Sequence, residues 1–257
     1  MAHRFWRGKL RSLSRNRALR GFYRVWWERA YGVSCKDFFL VSYPRSGNTW
    51  IRFMLLQARP DFREEDFLRI EEIIPDMHGG KAWFDYRRTN LVKSHLPYWQ
   101  PFRRVIYLVR DGRPATYSNW KYQRDEGNHD ISFAEYLKNP QWPSGWNEHV
   151  TAWAAAPETK LVLRYEEITA NPRAALESLC KMLGWPISAD RLDRIIQNSS
   201  KEKMRAMEQA AGVRLHRVGK SGGESWRDAF DSETEASFTS RLSPLAATFL
   251  GGENGRS

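Results

Sequence analysis

One segment constrains the fold more than any other: an apolar run of strand type that breaks into a short polar loop and then a helix. It spans residues 38–50 and reads FFLVSYPRSGNTW, and the apolar run ends at Tyr43-Pro44. The apolar spacing that follows predicts a helix over Thr49–Ala58. Loop N–H groups and a helix N-terminus both favour an anion, so a strand, a loop and a helix in this order predict a phosphate site.

The side chains of the loop suit the same ligand. Arg45 supplies a positive charge, and Ser46 and Thr49 add hydroxyl donors. Gly47 lets the backbone approach a bound group closely. An ordinary turn between a strand and a helix is the alternative interpretation of this segment taken alone.

The loop is not the common nucleoside triphosphate motif. That motif requires G-x-x-x-x-G-K-[ST], a spacing absent from residues 38–50. Gly219-Lys220-Ser221 has the right ending, but Arg214 occupies the position of the required first glycine. The sequence therefore predicts a phosphate-binding loop of another kind.

The rest of the chain alternates short apolar runs with helical patterns. Predicted strands are Asp37–Ser42, Asn90–Lys93, Arg104–Val109 and Lys160–Leu163. Further predicted helices are Arg113–Glu126, Ser132–Leu137, Gly145–Ala155, Pro172–Leu183 and Asp190–Asn198. This alternation predicts an α/β fold of three layers, α/β/α, with a central parallel sheet in one domain over residues 32–250. Residues 251–257 are predicted to be a disordered tail.

Positive charge is concentrated at the N-terminus. The formal net charge is +11, and residues 1–31 hold nine Lys and Arg against one acidic residue. Apolar side chains recur there at helical spacing, which predicts a basic amphipathic arm. Such an arm suits an anionic membrane surface, or it packs on the domain. The remainder is only mildly basic, so no specific nucleic-acid partner is predicted.

Cysteine usage and hydropathy indicate the compartment. Cys35 and Cys180 are far apart and form no C-x-x-C motif, which fits a reducing environment. No apolar stretch reaches the roughly 18 residues of a membrane span, and no signal peptide is recognisable. We expect a cytoplasmic protein, membrane-associated if the arm binds lipid.

A family resemblance rests on an ordered set of segments. Tyr43–Trp50 resembles the 5′-phosphosulfate loop of sulfotransferases that use 3′-phosphoadenylyl sulfate (PAPS), a family that usually has lysine at the position of Arg45. Later segments resemble later family blocks in the same order: Val92–Pro97, Val105–Asp111, Ser118, Trp146–Trp153, Leu163–Glu167, Arg217–Gly219 and Trp226. The set covers roughly residues 37–249. It implies a P-loop nucleotide-hydrolase-like fold, sulfuryl transfer by in-line displacement, PAPS as co-substrate and no metal.

The resemblance also implies three catalytic roles. His95 matches the general base, and an unperturbed imidazole with a pKa of about 6.5 accepts a proton near neutral pH. Arg45 would stabilise the leaving phosphate electrostatically, since guanidinium is a poor proton donor. Lys93 would reach the transferring sulfonate.

Contacts to the rest of the cofactor follow in the same way. Arg110 and Ser118 match residues that grip the 3′-phosphate. The remaining implied cofactor contacts are Arg45, Ser46, Gly47, Asn48 and Thr49 in the loop, Trp50, Tyr165 and Ser199 at the adenine, and Arg217, Gly219 and Lys220 in a closing loop. The family pattern in that closing loop is Arg-Lys-Gly, whereas this chain has Val218 in the middle.

The acceptor is less constrained than the donor. Variable stretches rich in aromatic residues, at 59–88, 98–103, 120–145 and 205–225, would form its pocket. They suit a small molecule, a glycan or a glycolipid equally, and the sequence does not predict the oligomeric state. Two alternatives remain: a kinase on a related fold, and a binding protein without activity.

Overall fold

Four parallel strands form the centre of the molecule. In a computed structural model, residues 36–77, 89–98, 102–139, 145–156, 159–210 and 225–250 are described. The strands are β1 (Phe38–Ser42), β2 (Leu91–Ser94), β3 (Arg104–Val109) and β4 (Thr159–Arg164). Their order in the sheet is β2-β1-β3-β4, and every pairing is parallel. Each strand lies within one residue of its predicted bounds.

Helices connect and flank these strands. They are α1 (Asn48–Ala58), α2 (Ile70–Ile73), α3 (Gly112–Asp125), α4 (Phe133–Lys138), α5 (Trp146–Ala154), α6 (Tyr165–Ala170), α7 (Pro172–Leu183), α8 (Ala189–Asn198), α9 (Lys201–Ala210), α10 (Trp226–Ala229), α11 (Ser232–Thr239) and α12 (Pro244–Ala247), with a 3₁₀ helix at Glu64–Arg69. The six helices that the sequence predicts all form. The 3₁₀ helix, α2, α6 and the helices from α9 onward are not predicted from the sequence.

Side chains of the sheet alternate between two separate cores. In β1, Phe38 and Leu40 pack with the apolar faces of α1, α7 and α8. Phe39 and Val41 point the other way and pack with Trp146 of α5 and its neighbours. Alternation of this kind buries both faces of a parallel sheet, and it gives the three layers that the sequence predicts. The predicted fold class is confirmed.

The topology places a ligand site at the carboxyl end of β1. The chain runs from β1 to β2 on one side and then crosses to β3 on the other side of β1. In open α/β sheets, the crevice at such a reversal of strand order is where ligands bind. The loop that follows β1 lies at this point.

Several predictions fall outside the described residues. They include the basic arm, the tail after residue 250, and the three closing-loop positions Arg217, Gly219 and Lys220. Within the described ranges, no helix is both long enough and apolar enough to cross a membrane.

Candidate active site

The loop after β1 has a backbone shaped to hold an anion. Arg45 has φ of 66° and Gly47 has φ of 90°, so two residues of the loop are left-handed with Ser46 between them. Such alternation turns successive N–H groups toward one point. Gly47 also begins α1 without a side-chain cap, and the first turn of α1 has no acidic residue. Because the helix dipole favours negative charge here, the conformation fits a phosphate group.

Buried hydrogen bonds hold the start of this loop. Asn48 Nδ2 donates to the carbonyl of Leu40 at 3.2 Å and to Ser42 Oγ at 3.1 Å. Asn119 Nδ2 donates to the hydroxyl of Tyr43 at 3.4 Å, and burial raises the pKa of Tyr43 well above its usual value. The tyrosine therefore stays neutral. These contacts fix the loop to β1 and α3.

Two cations and a hydroxyl meet beside the loop. Arg45 Nε donates to Ser118 Oγ at 3.0 Å, and Arg110 Nη1 donates to the carbonyl of Arg45 at 3.0 Å. The guanidinium of Arg45 also lies 5.5 Å from the ring centroid of Tyr122. The structure thus brings together three residues that the sequence predicts to bind the donor.

The ring of Tyr165 packs directly on the glycine of the loop. A Cβ added to Gly47 would lie 2.6 Å from Tyr165 Cδ2, so no larger residue fits without displacing the ring. Arg110 lies 4.6 Å from the centroid of the same ring, and Trp50 meets it edge-on at 6.3 Å. Tyr165 therefore links the loop, the cation after β3 and the predicted adenine-stacking residue.

Trp50 and Ser199, which are both predicted to contact the adenine, lie next to each other. Trp50 Nε1 donates to the Ser199 carbonyl at 2.9 Å. The hydroxyl of Ser199 is buried, and Gln57 Nε2 donates to it at 2.9 Å. These bonds tie α1 to the end of α8.

His95 is oriented by the strand next to it. Its Nδ1 lies 2.8 Å from the carbonyl of Ser42 and 3.3 Å from the hydroxyl of the same residue. A carbonyl only accepts, so Nδ1 carries the proton and Nε2 is the basic nitrogen. Trp153 Nε1 donates to the carbonyl of Leu96 at 2.8 Å and holds the segment that follows. The ring is arranged to accept a proton at Nε2.

A second histidine lies behind the first. His149 is fully buried, and its Nδ1 lies 3.0 Å from the hydroxyl of Tyr107. Burial, and to a smaller extent the nearby charge of His95, lower the pKa of His149 to about 3. His149 therefore stays neutral at physiological pH and does not oppose a positive charge on His95.

Lys93 has a partner that sequence reasoning missed. Its Nζ lies 2.6 Å from Asp76 Oδ2, and the two side chains are 15% and 21% exposed. Asp76 precedes β2 by a long connection, and no local sequence signal indicates the pairing.

Arg113, which lies three residues after Arg110, forms ion pairs with Asp111 at 2.7 Å and with Glu235 at 3.5 Å.

Two further features bear on the ligand chemistry. The hydroxyl of Ser46 is fully buried in the loop and has no hydrogen-bond partner within the described ranges. A spare donor at this position fits a phosphate oxygen. Among all the residues that the structure describes, no group of three or more His, Cys, Asp or Glu side chains is arranged to hold a metal ion.

A parallel sheet with an anion-binding loop, two cations and an oriented histidine at one edge defines a P-loop-like α/β protein with a site for a phosphorylated ligand. A family model described as "Sulfotransferase domain" matches residues 35–247. The chain therefore belongs to the sulfotransferase family, the PAPS-dependent family that its motifs resemble.

Individual relatives are distant. Human "Sulfotransferase 2B1" is 25% identical over 201 residues, which cover 70% of this chain and 54% of the human protein. Mouse "Sulfotransferase 2A1" is 27% identical over 193 residues, covering 67% and 68% of the two chains. The chain thus matches about half the length of the human relative.

Solved structures share the fold. Mouse sulfotransferase SULT7A1 complexed with PAP superposes with a TM-score of 0.64 at 19% identity, covering 84% of this chain and 89% of that one. Retinol dehydratase in complex with androsterone and the inactive cofactor PAP gives a TM-score of 0.62 at 19% identity, covering 82% and 81%. The predicted P-loop-like fold is confirmed.

Proposed function

We propose that this protein transfers the sulfuryl group of PAPS to a hydroxyl or amine of a small-molecule acceptor, with His95 as general base. The observation that carries the proposal is the orientation of the His95 ring by the Ser42 carbonyl. Its Nδ1 is hydrogen-bonded to Ser42, the last residue of β1, and its basic Nε2 stands at the edge that holds the anion-binding loop. A base and a phosphate site at one sheet edge are what sulfuryl transfer needs.

The donor would lie across the ends of β1 and β3. The loop N–H groups, Ser46 and Thr49 would bind the 5′-phosphosulfate, with Arg45 facing the bridging oxygen. Arg110 and Ser118 would hold the 3′-phosphate, since both contact Arg45, Arg110 directly follows β3 and Ser118 lies in α3. The adenine contacts would come from Trp50, Tyr165 and Ser199. Arg217, Gly219 and Lys220 would complete the site from the closing loop.

The chemical step is an in-line displacement at sulfur. The acceptor oxygen or nitrogen forms a bond to sulfur while His95 Nε2 takes the acceptor's proton. The bond between sulfur and the 5′-phosphate oxygen breaks, and its electron pair stays on the phosphate. The products are the sulfated acceptor, adenosine 3′,5′-bisphosphate (PAP) and protonated His95. Arg45 stabilises the charge that develops on the leaving phosphate, and Lys93 orients the sulfonate.

A small apolar alcohol is the acceptor class we favour. The retinol dehydratase structure is a complex with androsterone, a small hydroxylated molecule, and with PAP. In this chain, Tyr98 is three residues after His95 and packs edge-on against Trp153 at 5.3 Å, an aromatic pair that would suit an apolar acceptor. A glycan or a glycolipid is the alternative that an acceptor panel would distinguish.

Binding of the donor is tested first by thermal shift. PAP should raise the melting temperature, and 5′-AMP, which lacks the 3′-phosphate, should raise it much less. A ligand at 100 times its Kd adds about 2.7 kcal/mol to stability. Arg110→Ala should remove most of the difference between the two nucleotides. Equal shifts from both nucleotides would contradict the assignment.

The general base is tested by turnover. A panel of alcohols, phenols, amines and sugars is incubated with ³⁵S-labelled PAPS, and labelled products are counted. His95→Gln should lower the rate with the best acceptor by about 10²–10⁴-fold while PAP binding stays intact. Normal turnover by a variant that binds PAP would show that another group accepts the proton. Transfer from Mg²⁺-ATP in place of PAPS would support a kinase instead.

The N-terminal arm adds a proposal about location. Residues 1–31 have a large excess of positive charge and aromatic residues at helical spacing, which suits binding at an anionic membrane surface. Full-length protein should pellet with anionic vesicles, and not with neutral ones, at low salt. Deletion of residues 2–30 should abolish pelleting and leave PAP binding unchanged. Protein that stays in the supernatant with anionic vesicles would favour packing of the arm on the domain.

A further inference from the structure

The strongest feature outside the proposed roles is the carboxylate on Lys93. Asp76 Oδ2 lies 2.6 Å from Lys93 Nζ, and both side chains are at least three-quarters buried. Exposed ion pairs contribute little to stability, and the pair between Arg59 and Asp61 at 2.7 Å is of this kind, because Asp61 is 60% exposed. The pair of Lys93 and Asp76 differs from it because it is largely buried and because Lys93 lies two residues before His95.

The backbone holds Asp76 in position. Lys93 N donates to the carbonyl of Pro75 at 2.8 Å, and Met77 N donates to the carbonyl of Lys93 at 3.0 Å. Asp76 thereby forms a parallel bridge to Lys93 beside β2. The ion pair is therefore part of the sheet edge.

The same segment is anchored to the helix of the phosphate loop. Arg52 of α1 is 1% exposed and donates to the carbonyls of Ile70 and Ile74. It also makes two bonds of 3.1 Å to Glu71. Because Ile74 lies two residues before Asp76, a rigid connection joins α1 to the carboxylate on Lys93.

We propose that Asp76 is a positioning residue that limits how strongly Lys93 binds the sulfonate of PAPS. The inference rests on the proposed function, in which Lys93 faces that group. A sulfonate beside Lys93 also lies within a few ångströms of the carboxylate, and repulsion between the two anions opposes part of the attraction of the ammonium. The lysine then orients the sulfonate without holding it tightly.

Weak binding of the sulfonate favours the reaction. By analogy with phosphoryl transfer, the transition state is loose, and negative charge moves from the sulfonate to the leaving phosphate. A strong cation on the sulfonate would therefore stabilise bound PAPS more than the transition state. Interactions that favour the ground state lower KM and kcat together. Asp76 reduces this effect at Lys93.

The experiment compares PAPS with PAP, which has no sulfonate. Asp76→Asn keeps the shape of the side chain and removes its charge. The ratio of PAPS affinity to PAP affinity should therefore be about threefold to tenfold higher in the variant than in the wild type. PAP affinity should stay within twofold of the wild-type value. Asp61→Asn, which removes the carboxylate of the exposed pair, is the matched control and should change neither affinity. Affinities are measured by calorimetry.

A double-mutant cycle separates positioning from a structural role. In a Lys93→Met background, Asp76→Asn should leave the ratio of PAPS to PAP affinity unchanged, because the charge it modulates is gone. Release of sulfate from ³⁵S-PAPS at saturation, with water as acceptor, should be slower in Asp76→Asn alone. If Asp76→Asn loses PAP binding, Asp76→Ser takes its place as the neutral variant.

The outcomes are distinct. Wild-type protein that binds neither nucleotide would overturn the proposed function and this inference with it. A second outcome is that the wild-type protein binds both nucleotides, but the ratio of PAPS affinity to PAP affinity is unchanged or lower in the neutral Asp76 variant. This result would overturn the role of Asp76 alone. An equal effect in the Lys93→Met background would show that Asp76 acts on the fold and not through the lysine.

Discussion

Arg45 Nε donates to Ser118 Oγ at 3.0 Å, so a cation of the phosphate loop and a hydroxyl of α3 form one unit. The two residues are proposed to face different phosphates of PAPS. Their contact places the proposed 3′-phosphate contact on α3 directly beside the loop proposed to bind the 5′-phosphosulfate.

Ser118→Ala tests the 3′-phosphate end of this unit. It removes a hydroxyl proposed to donate to a charged group, so PAP affinity should fall by about tenfold, and affinity for 5′-AMP should change little. Titration calorimetry with the two nucleotides measures the difference. Ser178→Ala, which removes a hydroxyl bonded within α7 at 2.9 Å, is the control. A similar loss for both nucleotides would place Ser118 away from the 3′-phosphate.

The left-handed backbone of Arg45 predicts that a glycine variant at this position is more stable than an alanine variant. At φ of 66°, a residue with a Cβ is strained by about 1–2 kcal/mol, and glycine is not. Arg45→Gly should therefore be more stable than Arg45→Ala by about 1 kcal/mol, whereas glycine is usually the less stable of the two. Urea unfolding of both variants measures this. The usual order, with alanine more stable, would show that the loop relaxes.

Gly47→Ala tests the packing of Tyr165 on the loop. The added methyl would meet Tyr165 Cδ2 at 2.6 Å and would sit at φ of 90°, so we expect a loss of about 2–4 kcal/mol. In a Tyr165→Ala background the steric part disappears, and the loss should fall to the backbone cost of about 1–2 kcal/mol. Thermal unfolding of the wild type, the two single variants and the double variant gives the coupling. Equal losses in both backgrounds would contradict the close packing.

The limits of sequence reasoning follow from what each signal reports. The apolar runs of the strands and the loop around Gly47 are local, so their positions are predictable to about one residue. The pairing of Asp76 with Lys93 depends on a single bridge across a long connection, and no local pattern encodes it. The neutrality of His149 likewise comes from burial between two layers, which a helical pattern indicates only as core packing. Tertiary packing decides these features.

Because His149 is buried and neutral, the free energy of unfolding should decrease as the pH falls. An exposed histidine in the unfolded chain has a pKa of about 6.5, and burial lowers the pKa of His149 to about 3 in the folded protein. Below pH 6.5 the unfolded chain binds a proton there and the folded protein does not. The contribution of His149 to stability is therefore complete above about pH 6.5 and is lost as the pH falls toward 3.

His149→Gln should remove this part of the acid sensitivity, because glutamine does not titrate. Between pH 6 and pH 4, the free energy of unfolding of the wild-type protein should fall more steeply than that of the variant, by up to about 1.4 kcal/mol per pH unit. Tyr107→Phe removes the hydroxyl 3.0 Å from His149 Nδ1 but leaves the ring buried, and it should keep the wild-type slope. Urea unfolding across this pH range measures all three proteins. Parallel curves for the wild type and His149→Gln would mean that His149 takes up its proton in the folded state as readily as in the unfolded chain.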